Sequence, residues 1–475
     1  MPFKRLLPLL LAAAAACGPD YSVVPSQSAS VSIISGNTQV GSAGTTLAAP
    51  VVILVTDSTG APAVGVAMTW TPSAGNGSVS ASAVTDAAGH ASATWTLGSV
   101  IGDQHLTARA TGIGTAVALA ILPAFAATQV TVGTGFACGI DAAGAAHCWG
   151  NNPSGVFGNA ALPPSLIPVL VPGGLVFAQI HAGADFVCGL TTTPQEVWCW
   201  GSNAHGQRGV SGSPAAAPVL VSGGHTWLGL AAGGQSACGI ASDSTAWCWG
   251  VNGYGQLGDG TLGTDRFAPV AVKDSIKFTT LSVSSTHSCG ISASRRLWCW
   301  GRNADRELGA DSTGTEYMVP VPVASAATTG FLADAVATGA FHTCAVGVGR
   351  TYCWGADLFG QIGNKTISAT DVALPTVIDS TLGMVTLGAD SASTVALGTG
   401  TKEYWWGSRG PNLSAPAAAD RSVQPELVLP YLFSSFATGQ SVSCGIYSRN
   451  YVFCWGSSAD PNFPAADLPA GVPAP

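Results

Sequence analysis

The dipeptide Trp-Gly recurs seven times in the C-terminal three quarters of the chain, at Trp149, Trp200, Trp249, Trp300, Trp354, Trp406 and Trp455. The spacings are 51, 49, 51, 54, 52 and 49 residues. A period of ~50 residues marks propeller blades or a solenoid, because one unit holds four strands of ~5–6 residues and their turns. Composition decides against helices. Only 9% of the 475 residues are charged, against ~25% in ordinary globular chains, while Gly numbers 61 and Pro 29. Such a chain lacks the charge for long solvated helices or a coiled coil, and reads as short strands joined by Gly-rich turns. The expected class is all-β, a seven-bladed β-propeller preceded by a β-sandwich.

One unit can be read strand by strand. An apolar stretch after Pro (Val219-Leu220-Val221) is taken to open it, and a strand follows at 227–233. Residues 236–240 then turn through Asp243 into Trp247-Cys248-Trp249-Gly250, and the loop Asn252-Gly253-Tyr254-Gly255-Gln256-Leu257-Gly258 closes the unit. This pattern resembles the regulator-of-chromosome-condensation repeat. The loop recurs at 203–209 and 357–363, and more loosely at 152–158. The fourth copy reads Asn303-Ala304-Asp305-Arg306-Glu307-Leu308-Gly309, with Arg306 and Glu307 in place of Gly and Gln. If that Gly needs a positive φ, Arg306 costs ~1 kcal/mol there. The sixth and seventh loops lose the pattern. The tail from Leu468 to Pro475 resembles the Pro-apolar stretch, and is expected to close the ring beside residues 129–132.

Ahead of the repeats, residues 29–124 alternate short β-branched runs with turns. Val51 to Val55 reads as a buried strand with a turn at Asp57, and Trp70 and Trp95 are expected to fill a core. Trp70, the "TDAAGHASATWTLG" stretch and "HLTARATG" look like a bacterial immunoglobulin-like domain of the invasin/intimin type.

The N-terminus reads as an address. Lys4 and Arg5 precede an eleven-residue apolar run, Leu6 to Ala16, too short to span a bilayer. Ala14-Ala15-Ala16-Cys17 resembles a bacterial lipobox, with Ala14 where Leu is usual; the alternative is ordinary cleavage after Ala16. The resemblance implies lipidation at Cys17, and Gly18, in place of Asp, implies the outer membrane. Residues 1–16 are then a signal peptide, 17–28 a lipidated tether, 29–124 the sandwich and 125–475 the propeller. Loss of Lys4 and Arg5 takes the net charge from −8 to −10.

Setting Cys17 aside, twelve cysteines remain, as Cys138/Cys148, Cys188/Cys199, Cys238/Cys248, Cys289/Cys299, Cys344/Cys353 and Cys444/Cys454. Each pair flanks the turn of one expected hairpin. Directly opposed residues on antiparallel strands lie ~4.5–5.5 Å apart, within disulfide reach. The sixth unit lacks both partners together; alignment puts Ala396 and Trp405 at their places. Six disulfides and an oxidising compartment are therefore expected.

No catalytic constellation emerges. Cys-x-x-Cys, Gly-x-Ser-x-Gly and a phosphate-binding loop are all missing. No metal and no cofactor is expected; the acidic loop 311–316 reads as solvated rather than as a calcium site. His287 and His342, two residues before a cysteine, read as polar groups of their blades. Lys plus Arg total 17 against 25 Asp plus Glu, which argues against nucleic acid as a partner. The variable loops after Trp-Gly remain. His205, Arg208, Tyr254, Arg302, Asp305, Arg306, Glu307, Asp357 and Phe359 are the candidate surface for a protein or cell-surface ligand. The chain is thus expected to be a non-enzymatic exported binding protein, held to the membrane by lipid on Cys17. The family resemblance alternatively implies guanine-nucleotide exchange, which an oxidising compartment disfavours. A further alternative is an envelope enzyme acting on polysaccharide or peptide, with Asp185 and Asp390 converging at the channel.

Overall fold

The computed structural model describes residues 29–41, 45–98, 102–122, 126–212, 217–310, 313–324, 331–379, 382–399, 402–408, 421–432, 434–439, 442–447 and 451–456. The signal segment, Cys17, the tether, the sixth and seventh loops and the C-terminal tail lie outside the described residues. The chain divides into two compact units, 1–122 and 123–475.

The first unit is two four-stranded sheets. One pairs Ser30–Ser35, Val51–Thr56, His90–Thr96 and Ser78–Ala81; the other joins Gln39–Val40, Gly114–Leu122, Gly102–Ala110 and Met68–Pro72. Their inner faces share one core, in which Val51, Ala93 and Trp95 of the first sheet meet Leu106, Ala118 and Ala120 of the second. Strand Val51–Thr56 alternates buried and half-buried residues, so it is covered on one face only. Trp95 is fully buried and its indole donates to the Asn76 carbonyl (2.8 Å). Trp70 is half-buried at the core's edge. The Asp57 and Asp86 carboxylates cap their turns by accepting backbone N–H groups two and four residues on.

The second unit is seven antiparallel sheets in a closed ring, numbered here as blades 1–7. Their innermost strands are Gln129–Gly133, Phe177–Ala182, Trp227–Gly233, Phe278–Val283, Ala335–Thr338, Met384–Ala389 and Ser435–Thr438, each next to its neighbours, with the last returning to the first. In blade 3, Ser236–Ala241 and Ala246–Gly250 follow outward, and Arg266–Ala271 is the outer strand. Six blades have four described strands; blade 7 has three.

This grouping corrects the reading of where a unit starts. The Pro-apolar stretch closes the preceding blade: Val219 pairs with Cys199, and Val270 with Cys248. Its prolines follow from that place. An outer strand is hydrogen-bonded on one side only, so Pro costs no ladder bond there and blunts an exposed edge. Pro168, Pro269, Pro320, Pro375 and Pro425 all sit in outer strands. Pairing of the tail beside 129–132 falls outside the described residues.

All six expected disulfides are present, between residues directly opposed on the two middle strands, with Cα–Cα distances of 4.0–4.1 Å. The bond between Cys444 and Cys454 in blade 7 is among them, but its setting differs from that of the other five. Cys454 is half-buried, whereas its eleven counterparts are fully buried. In the four-stranded disulfide blades an outer-strand residue sits opposite the second cysteine, as Val169 does at Cys148 and Val321 at Cys299. Among the described residues no outer strand pairs with Cys454. In blade 6 the opposed pair is Val395 and Trp405; Ala396 faces Tyr404, one residue out of the expected register.

Candidate functional site

The seams between blades explain why the repeat has its form. Six of the seven seams take a cystine from one blade and large side chains from the next; blade 6 has no cystine to give. Cys138–Cys148 of blade 1 packs under Phe177 and Trp200 of blade 2. Cys188–Cys199 meets Trp227 and Trp249, and Cys238–Cys248 meets Phe278 and Trp300. Cys289–Cys299 meets Phe331 and Trp354, and Cys344–Cys353 meets Met384 and Trp406. At the closing seam Cys444 is buried with Ala127 and Trp149 of blade 1, and Cys454 packs at the margin of that cluster.

In five seams the indole N–H of the Trp reaches back into the loop of the blade before it. Trp200 donates to Val156 (2.7 Å), and Trp249, Trp300, Trp354 and Trp406 donate to the carbonyls of Gln207, Gln256, Glu307 and Gln361 (each 2.9 Å). The same carbonyls accept the hydroxyls of Ser288, Thr343 and Thr394 in the later seams. His287 and His342 tie blades 4, 5 and 6 together. Since Thr343 and Thr394 spend their protons on those carbonyls, His287 and His342 donate through Nε2 to the threonine oxygens (2.7 and 2.8 Å). Burial pushes both imidazoles down to about 3, so they are neutral ties, as polar groups of the blade should be.

The loop after Trp-Gly is a self-capped turn. Its first residue holds both ends: Asn203 Oδ1 accepts the Arg208 N–H, while its Nδ2 donates to the carbonyls of Val210 and Gly212. Asn152, Asn252 and Asn303 do the same in their blades. The residue at the Gln position turns its side chain inward to accept a tip N–H, and the residue after it enters the seam core as Phe157, Leu257, Leu308 or Ile362. The fourth residue is left-handed throughout. Arg306, at φ 63°, holds the place of Gly155, Gly206, Gly255 and Gly360, all near 80°.

That geometry corrects three of the candidate surface residues. Arg208 stands at the core position and is 1% exposed, with its charge disfavoured by desolvation. Glu307 stands at the Gln position and is fully buried. Asp357 stands at the Asn position, also fully buried; burial pushes its carboxyl up to about 6, and Oδ2 has no hydrogen-bond partner. A polar side chain in a Gly-rich loop reads as solvated in sequence, whereas here the loop folds it inward. Glu307 is tolerated because Arg302 reaches it (2.6 Å) while also holding Asp305 (2.5 Å) and lying over the Phe341 ring (5.2 Å). In blade 2 the same slot is neutral: Gln207 donates to Ser202.

The side chains left outward are those of the loop tips. Ser154, His205, Tyr254, Asp305 and Phe359 occupy the same place in blades 1 to 5, so one face of the ring carries five different chemistries at equivalent points. Tyr254 is 41% exposed, and its neighbour Gly255 lies close against Met318 of the next blade's outer strand. His205 pairs with Asp265 of blade 3 through Nδ1 (2.8 Å), and Arg306 is half-buried. The channel opens on the same side. Its mouth is a cavity of about 140 Å³, lined by the ends of all seven innermost strands. Asp390 lines it where blades 1, 2, 3, 5 and 7 place Gly; its carboxylate caps its own turn on the N–H groups of Ala392 and Ser393 and the Ser393 hydroxyl. Burial pushes that carboxyl up to about 6. Asp185 is held by Gln207 and does not line this mouth, so the two carboxylates do not converge there. Among the described residues no group of three or more His, Cys, Asp or Glu side chains is placed to hold a metal ion.

Comparison with known proteins agrees with this architecture. The Regulator of chromosome condensation (RCC1) repeat matches residues 177–207 and 278–306, and in a second description of the repeat 243–291 and 296–346. The chain is 28% identical over 167 residues to the Arabidopsis thaliana RCC1 domain-containing protein RUG3, mitochondrial, covering 32% of this chain and 36% of that protein. It is 29% identical over 161 residues to the Ultraviolet-B receptor UVR8 of the same plant, covering 32% and 35%. The chain thus spans about a third of the length of the curated relatives it matches. Among solved structures, human WBSCR16 superposes with a TM-score of 0.60 at 16% identity, over 70% of this chain and 89% of that one. Prp20p of Saccharomyces cerevisiae, described with its binding properties to Gsp1p and histones, gives 0.56 at 18%, over 66% and 81%. At such identity these structures speak for the fold alone.

Proposed function

We propose that this chain is an exported, lipid-anchored, non-enzymatic binding protein whose propeller presents the tip face to a protein or cell-surface ligand. The observation that carries the reading is the pairing of a rigid frame with variable tips. Six disulfides and the Trp-to-carbonyl ties fix the ring, while Ser154, His205, Tyr254, Asp305 and Phe359 differ at equivalent places. Contacts that vary on a scaffold that does not move suit recognition, since little ordering entropy is left to spend on binding. Six disulfides call for an oxidising setting, and no helix among the described residues is long and apolar enough to cross a membrane. In this reading Cys17 carries the lipid anchor and residues 29–124 form an immunoglobulin-like spacer.

Tyr254, Arg302, Asp305, Arg306, His205 and Phe359 are the proposed anchors. Cross-linking on intact cells, with the wild-type chain beside a Tyr254→Ala/Phe359→Ala variant, tests this. A specific partner captured by the wild type and lost from the folded variant is expected. Capture that is absent from both, or equal in both, overturns it.

A further inference from the structure

The opposite end of the blades carries a second feature, independent of the tip face. The hairpin turns between the two middle strands lie there, and each turn faces the entry segment of the next blade. At the seam of blades 3 and 4, Asp243 in the turn pairs with Lys277 in the entry segment (3.4 Å). At the seam of blades 4 and 5, Arg295 pairs with Asp334 (2.5 Å). An ion pair therefore closes each of these two seams.

The seam of blades 2 and 3 is different. Its turn carries the carboxylate of Glu196, but Thr226 stands where blade 4 has Lys277, and no ion pair across this seam occurs among the described residues. The space stays open as a cleft of about 500 Å³ lined by Thr192, Pro194, Glu196, Leu220, His225 and Thr226, among others. That volume falls in the ~300–1,000 Å³ range of small-molecule sites. The lips are fixed. Thr191 Oγ1 donates to the Pro194 carbonyl and accepts the Glu196 N–H (3.1 Å), and the Trp227 N–H donates across the seam to Gln195 (3.1 Å). Glu196 Oε2 is held by the Trp198 indole (3.3 Å), and His225 packs on Trp227 and Trp247 with ring centroids 5.0 and 4.2 Å away. A carboxylate lies among aromatic rings and an apolar wall, in a chain of net charge −8. This is the chemistry that holds an alkylammonium.

We propose that this cleft binds a primary ammonium group on an aliphatic stem, such as a lysine side chain of a partner. Such a group would supply from outside the cation that Lys277 supplies in the next seam.

The test uses the full chain at pH 8, with Nα-acetyl-lysine amide as probe and the uncharged Nα-acetyl-norleucine amide as control. The indole N–H resonances of Trp198 and Trp247 report binding. The lysine probe should shift both and the norleucine probe neither, with the shifts fading as salt is raised. Glu196→Gln keeps an acceptor for Trp198 and should weaken the lysine probe about tenfold, the scale of one charge-assisted contact. Thr226→Lys places the chain's own ammonium in the cleft; it should abolish binding without lowering the melting temperature. Equal shifts with norleucine, a neutral disaccharide binding where lysine does not, or unchanged lysine affinity in both variants would overturn the proposal. Loss of the tip-face partner leaves it untouched, because the two sites lie at opposite ends of the strands.

Discussion

Blades 4 and 6 were built from the same repeat by different means. Blade 4 carries Cys289–Cys299 on the face it turns to blade 5, under Phe331 and Trp354. Blade 6 has Val395 and Trp405 directly opposed in that place, both buried. One large ring stands where a cystine would be, so the two middle strands are held by packing and ladder hydrogen bonds alone. What the blades share is therefore more instructive than the cystine. Trp300 and Trp406 both bury their rings in the preceding seam and donate to the carbonyl of the preceding loop. The repeated requirement is a Trp that joins one blade to the one before it. The cystine strengthens a hairpin that packing can also hold.

The comparison can be broken first at the Trp. Trp300→Ala removes a fully buried ring and leaves the Gln256 carbonyl with one donor fewer, so a loss of about 3–5 kcal/mol is expected. Chemical denaturation measures it; a loss below about 1 kcal/mol would show that the seam does not depend on the Trp. Second comes the cystine. Cys289→Ala with Cys299→Ala opens a loop of about ten residues and should cost roughly 2–3 kcal/mol. Val395→Cys with Trp405→Cys should restore the link in blade 6 yet give no net gain, because the Trp405 ring is lost. Melting temperatures of the two double variants decide whether cross-link or packing matters more in each blade.

The smallest effect sharpens a second contrast, between the loop of blade 4 and that of blade 5. Asn303 caps its loop with an amide; Asp357 does so with a carboxyl raised to about 6 by burial. The folded chain therefore prefers the protonated acid. Stability from this group is present below the ordinary value of 3.8 and is lost as pH rises toward 6. Asp357→Asn should then stabilise the protein by about 2 kcal/mol at pH 7 and change little at pH 4. Thermal unfolding at the two pH values checks it, and an equal effect at both would refute the titration. His287 and His342 act with the opposite sign. Their lowered pKa values remove stability as pH falls from 6.5 toward 3, so the comparison must be made against the wild type at each pH.

Much of the ring was legible before any coordinates. Trp-Gly periodicity counted the blades, and six cysteine pairs marked six hairpins, because both signals lie within one unit. Arg306 was legible for the same reason: a loop that carries Gly in its sister copies at one place has a backbone that needs it there. Three things were not. The Pro-apolar stretch was assigned to the wrong blade, since an outer strand carries no mark of which neighbour it pairs with. The blade 6 pair was misread by one residue, Ala396 for Val395, because without cysteines nothing local fixes the register. Arg208, Glu307 and Asp357 read as surface anchors in sequence, although each occupies an inward position of a folded loop.

The sequence alone settled what is local and repeated: the number of units, the hairpins and the partners of their cysteines. Tertiary structure decided what depends on a neighbouring blade or strand. That covers which strand ends a sheet, which loop residues face inward, and which seam is left open beside Glu196. The physical reason is that the first set concerns residues about ten positions apart along one chain segment, while the second concerns residues ~50 apart whose environment does not exist until the ring closes.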